Sequence, residues 1–167
     1  MRGSARWAGR ALLACGLCVL ALWAYRQRPH PPLERMRPQS VAIHAADGSL
    51  LRLALASDER YRLWLPLEQI PPALIEAVKL KEDRWFDWHP GFNPFSLARG
   101  AVLGWTRDGY RSGASTLSMQ LARLRDRTDT RSIAGKLRQI GSALLLSARY
   151  SKPEVLAAYL NYAPYGG

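Results

Sequence analysis

The 167-residue sequence predicts a mainly α-helical domain with a small N-terminal β-hairpin region, preceded by a transmembrane helix. Three observations carry this. Residues 11–25 form an almost unbroken apolar run. Residues 41–55 alternate apolar side chains about an Asp-Gly pair, the signature of a hairpin. From Pro71 onward the apolar spacing changes to the helical period. A chain of this length buries one good core, and a hydrophobic share of 48% excludes general disorder. Four segments follow: tail and anchor (1–27), a Pro/Arg linker (28–39), the hairpin region (40–70) and the helical domain (71–167).

Ala11 to Tyr25 is bracketed by Arg2, Arg6 and Arg10 on one side and by Arg26 and Arg28 on the other. A spanning helix needs roughly 17–25 residues, so Trp7 and Ala8 must join the run while Arg10 snorkels. No small-x-small cleavage site follows, and Trp23 and Tyr25 suit a membrane interface; the segment reads as a signal anchor rather than a cleaved signal peptide. Cys15 and Cys18 lie inside the run and read as small apolar residues, leaving the rest of the chain without a disulfide or a thiolate zinc site. Pro29, Pro31, Pro32 and Pro38 stiffen the linker.

The hairpin is expected from Val41, Ile43 and Ala45, a turn at Asp47-Gly48, and Leu51, Leu53 and Leu55 on the return, with Tyr61–Leu65 as a third strand. Pro71-Pro72 opens a first helix running to about Phe86. Asn93-Pro94 caps a second, ending near Gly104, and Thr106–Gly113 reads as a mobile loop. A third runs from Ser115 to about Arg125. A fourth, Arg131–Ala148, offers Leu137, Ile140, Gly141, Leu144 and Leu145 as its buried stripe. Ser151-Lys152-Pro153-Glu154 is a capping box that starts a fifth helix through Leu160. Asn161 to Gly167 reads as a loop-like ending, as of a domain incomplete at its C-terminus.

The net charge is +11; four lysines among the 24 basic residues leave 20 arginines. Such an excess points to an anionic partner: nucleic acid, an anionic membrane surface or a phosphorylated substrate. The anchor and the lack of an aromatic-basic repeat argue against nucleic acid.

Ile75 and Val78 sit seven and four residues before Glu82, and Phe86 four after, so a carboxylate shares an apolar helix face. Partial desolvation there makes Glu82 a candidate general base; an exposed helix-end acid is the alternative. Thr116, Gln120 and Arg123 form a polar stripe behind Gly113-Ala114-Ser115, a candidate anion site or a plainly capped amphipathic helix. Lys136 and Gln139 share a face that can bind phosphate or sugar, or simply be solvated. Arg149 and Lys152 flank the turn between the last two helices. His89 has no partner at metal spacing and reads as a loop hydrogen-bonder.

Four ordered segments resemble the peptidoglycan glycosyltransferases of family 51, in a penicillin-binding protein 1C-like form. They are Glu82-Asp83-x-x-Phe86-x-x-His89-x-Gly91, Gly113-Ala114-Ser115-Thr116-Leu117-Ser118-Met119-Gln120-Leu121-Ala122-Arg123, Gly135-Lys136-Leu137-Arg138-Gln139, and Ser151 through Asn161. The resemblance covers about residues 40–167. It implies a lysozyme-like domain on the periplasmic face of the bacterial inner membrane, polymerising lipid II onto a lipid-linked glycan strand and releasing undecaprenyl pyrophosphate. It implies Glu82 as the base. Asp83, Ser115, Thr116, Gln120, Arg123, Lys136, Gln139, Arg149 and Lys152 are implied substrate ligands, and Phe86, His89, Gly91 and Asn161 motif residues of structural use. A divalent cation, Mg or Mn, can assist at the pyrophosphate, and other cell-wall synthesis proteins are possible partners. Most family members carry a second glutamate where Gln139 stands, and the family domain continues for several more helices. A non-catalytic lipid II or pyrophosphate-binding membrane module is the alternative, and a glycan-cleaving enzyme of the lysozyme class a third reading.

Overall fold

The computed structural model describes the backbone of residues 2–106, 115–127, 129–130 and 132–164. The expected loop at 106–113 and the closing residues 165–167 fall largely outside these. The chain divides into two units, residues 1–30 and 31–167.

The first unit is one helix, α1 (Arg2–Gln27), over the predicted anchor. Leu13, Leu17, Val19, Leu20 and Trp23 on it are exposed. Among the described residues no helix is long and apolar enough to cross a membrane; Arg10 and Arg26 bound the apolar run too closely.

The second unit is mainly helical with one small sheet. β1 (Ala42–His44) and β2 (Leu50–Leu53) pair antiparallel, Ala42 opposite Leu53 and His44 opposite Leu50, with an irregularity between Ile43 and His44. Gly48 takes φ +84° in the turn, and Asp47 Oδ1 accepts from Ser49 N at 2.9 Å. Residues 61–65 do not form the expected third strand. Ser40 Oγ takes the Arg62 N–H at 2.8 Å in place of a carbonyl, and the Asn161 amide bonds both Leu65 N (2.8 Å) and Leu65 O (2.9 Å). Backbone pairing is limited to Arg62 O accepting from Ser40 N (2.8 Å) and Arg60 O from Ala56 N (2.9 Å), while side chains take the Arg62 N–H and both groups of Leu65.

Five helices follow: α2 (Pro72–Glu82), α3 (Pro94–Thr106), α4 (Leu117–Asp126), α5 (Ile133–Arg149) and α6 (Lys152–Tyr162). Caps set their starts. Asn93 Oδ1 accepts from Phe95 N (3.0 Å), Thr116 Oγ1 from Met119 N (3.2 Å) and Ser132 Oγ from Gly135 N (3.0 Å). Ser151 and Glu154 close the expected capping box. The core is α4 packed on α5 and α6, with Leu117, Met119, Leu121, Leu146, Val155 and Ala158 almost wholly buried.

Two expectations are corrected. First, α2 stops at Glu82, four residues short of Phe86. Asp83 leaves the helix (φ −159°, ψ 75°) because its carboxylate is engaged by α4 and His89, as described below. Phe86 is buried all the same, from a turn. Second, the fully buried stripe of α5 is Gly135, Gln139, Ala143 and Leu146; of the expected stripe Ile140 packs partly buried against the core, while Leu137 and Leu145 stay more than 60% exposed. Both stripes have helical spacing. The face with small residues wins because the backbone at Gly91 presses against it.

Gly91 sits at φ +113°, and a Cβ there lies 2.7 Å from both Ala143 O and Ser147 Oγ. Gly91→Ala combines left-handed strain with overlap against backbone, so it should cost about 2–4 kcal/mol. A chemical-denaturation midpoint like that of the wild type would contradict this.

Candidate active site

A cleft of about 910 Å³ opens between the C-terminal end of α2, the loop from Asp83 to Pro90, the start of α3, and Ser115-Thr116 ahead of α4. Glu82 stands on its wall, partly buried. Gln120 Nε2 donates to Glu82 Oε2 at 2.9 Å, and the Tyr159 hydroxyl donates to Gln120 Oε1 at 3.2 Å. Among the described residues this amide is the one hydrogen-bond partner of the Glu82 carboxylate. A carboxylate aimed by a single amide keeps most of its acceptor capacity for a ligand.

Asp83, its neighbour, faces the other way and is 7% exposed. It accepts from Leu117 N at 3.0 Å and from His89 Nε2 at 3.0 and 2.9 Å. Gly91 N donates to His89 Nδ1 at 3.2 Å. A backbone N–H only donates, so Nδ1 accepts and the proton sits on Nε2, where it meets Asp83. The carboxylate also lies at the N-terminus of α4, where the helix dipole favours negative charge. Thr116 completes the frame: its hydroxyl donates to Gly91 O at 2.6 Å and caps α4. Asp83 and Thr116 are therefore buried braces.

The cations divide in the same way. Lys136 Nζ donates to Ser115 Oγ at 2.8 Å, beside the cleft. Burial, and secondly the charge of Arg123, lower its pKa from the usual lysine value. Arg123 itself is exposed on α4. Lys152 Nζ donates to Phe86 O and to His89 O (2.6 Å) and lies 4.4 Å from the centre of the Phe86 ring. Its pKa is also lowered, by burial first, although Asp83 and Asp87 pull the other way. Lys152 thus fastens the loop that carries Phe86 and His89. Gln139 is 2% exposed, its Nε2 donating to Met119 O at 2.7 Å, so it lies in the core. Arg149 is partly buried at the end of α5, and Asn161 anchors residue 65. Gly113 and Ala114 lie outside the described residues.

Sequence reading missed part of the cleft wall. Lys81, Arg84 and Arg99 line it, as do Trp85, Trp88 and Phe95, the last two 84% exposed. Arg99 lies three residues after Ser96, one helical turn along α3, so spacing from the Asn93 cap could have found it. Tyr159 was also missed; nothing local marks its reach to Gln120. Among the described residues no three His, Cys, Asp or Glu side chains gather as a metal site.

Residues 47–167 match the family model described as Transglycosylase. The chain belongs to the transglycosylase family. It is 42% identical over 151 residues to penicillin-binding protein 1C of Escherichia coli, covering 90% of this chain and 19% of that protein. Penicillin-binding protein 1B of Vibrio cholerae is 38% identical over 60% of the chain and 13% of its own length, and penicillin-binding protein 2D of Bacillus subtilis 30% over 96% and 22%. The chain thus spans about a fifth or less of the length of these relatives.

Asp83→Ala strands the buried Leu117 N–H and His89 Nε2–H, and should cost about 2–4 kcal/mol. Urea unfolding checks this. A loss below about 0.5 kcal/mol, the scale of ordinary surface substitutions, would show that the brace carries nothing.

Proposed function

We propose that this chain carries the glycan-polymerising chemistry of a peptidoglycan glycosyltransferase. The acceptor is lipid II and the donor a lipid-linked glycan strand, at the periplasmic face of a membrane to which residues 1–27 anchor the protein. The observation that carries the reading is Glu82, presented on the wall of an open cleft by Gln120 and Tyr159 and followed by a braced loop. Family membership and a lysozyme-like helical arrangement agree with it.

Glu82 takes the proton of the acceptor GlcNAc 4-hydroxyl. The oxygen attacks the donor anomeric carbon from the face opposite the pyrophosphate. The bond to the pyrophosphate breaks with inversion, giving a β-1,4 link, and undecaprenyl pyrophosphate departs with its electron pair. Its charge calls for cations and donors, and Lys136, Arg123, Ser115 and Gln120 are the expected ones, with Arg84 and Arg99 also lining the cleft. Asp83, Thr116 and Lys152 serve by holding the frame, and Gln139 by packing. Arg149 stands farther along α5 as a second-line cation. The described carboxylates do not fit a divalent-ion cage, since Asp83 is turned inward and spent, so no step is routed through a metal.

Glu82→Gln should lower incorporation of labelled lipid II into polymer about 100–10,000-fold while leaving the unfolding midpoint near wild type. Lipid II binding by the wild type without any polymer would establish the binding-module alternative. Arg123→Ala should weaken binding of the lipid-linked donor roughly tenfold, the scale of one lost charged contact. Unchanged donor affinity removes Arg123 from the site.

A further inference from the structure

At the far end of α4 from Glu82 lies a second hollow, about 310 Å³, walled by Arg37, Arg60, Arg62 and Arg127 with Asp58 and Tyr162. It shares no lining residue with the cleft. The ten residues of α4 put roughly 15 Å between the two ends. The four guanidinium groups come from three places in the chain: the linker, the segment after β2, and the αL turn that ends α4 at Arg127 (φ 49°).

The local charge does not balance. Asp58 engages Arg62 in a fork, with contacts of 3.1 and 2.8 Å. Arg37 donates to Leu124 O at the end of α4 and covers the Tyr162 ring at 4.9 Å. Among the described residues the guanidinium groups of Arg60 and Arg127 have no hydrogen bond or ion pair, although the Arg60 carbonyl accepts from Ala56 N at 2.9 Å. One carboxylate therefore faces four cations. Burial, together with repulsion from Arg62 and Arg127, lowers the pKa of Arg37 below the usual arginine value. The fold holds these groups together at an electrostatic cost that a bound anion would relieve.

We propose that this hollow binds a phosphate group, as a non-catalytic site separate from the glycosyl-transfer cleft. The site assignment stands independently of the reaction proposed there. Guanidinium groups arriving from separate segments suit a tetrahedral oxyanion, whose oxygens accept from several directions at once. A carboxylate needs only one fork, and Asp58 already fills that role on Arg62. The volume has room for a phosphate and the first atoms attached to it. That phosphate is either free in solution or the headgroup of an anionic lipid, and both present the same oxygens.

The test uses the full chain in neutral detergent, alongside the Arg60→Ala/Arg127→Ala double variant. Both side chains are exposed, and neither lines the cleft. Thermal unfolding is followed with inorganic phosphate, with short-chain phosphatidylglycerol, with phosphatidylcholine, and with sodium chloride at matched ionic strength. The wild-type midpoint should rise with phosphate or phosphatidylglycerol and stay put with the two controls, and the double variant should lose at least two-thirds of the rise. A rise with phosphate assigns the site to soluble ligands, and one with phosphatidylglycerol alone to lipid. Arg60→Lys/Arg127→Lys, which keeps charge but not the fork, should retain an intermediate rise. Equal rises in wild type and double variant, a rise reproduced by chloride, or no rise in any arm would overturn the proposal.

Discussion

Asp83 is one residue past the end of α2 and joins three parts of the chain through a single carboxylate. It takes the first free N–H of α4 and the imidazole of His89, which in turn takes the N–H of Gly91. Each partner is buried, and each would be stranded without the others. The interaction turns the chain out of its helix just after Glu82, which leaves the Glu82 side chain on the cleft wall while Asp83 points inward. Two adjacent acids thereby acquire opposite duties, one open to ligand and one closed within the frame.

The remaining braces converge on the same loop. Thr116 ties Gly91 to the cap of α4, and Lys152 reaches from α6 to the carbonyls of Phe86 and His89. Gly91 lies against the backbone of α5, where any side chain would collide. The loop beside Glu82 is therefore held by α4, α5 and α6 together. Rigid support of this kind would hold the proposed base within reach of an acceptor hydroxyl. It also explains why several motif residues that look like ligands in the sequence are spent internally.

Much of this was legible in the sequence where local chemistry decides the outcome. The capping box at Ser151, the caps at Asn93 and before α4, and the Asp47-Gly48 turn all set boundaries through contacts within four residues. Glu82 was legible as a partly desolvated acid next to an apolar face. What the sequence hid depends on distant partners. The inward turn of Asp83 requires α4 to be in place. On α5, large leucines suggested one face, yet tight backbone approach selected the other, which carries Gly135 and Ala143. Gln139 looked like a surface ligand and fills that packed face instead. Asn161, 96 residues away in sequence, occupies the backbone of Leu65 and forestalls a third strand.

The central claim is that catalysis rests on the placed carboxylate of Glu82 rather than on its charge alone. Glu82→Asp tests it most directly. The substitution keeps the carboxylate but withdraws it by about one methylene from Gln120 and the cleft, a displacement that can cost about 100-fold in rate. The account predicts a fall of that size in polymerisation of labelled lipid II, with thermal stability unchanged. Turnover within a few-fold of wild type would contradict it.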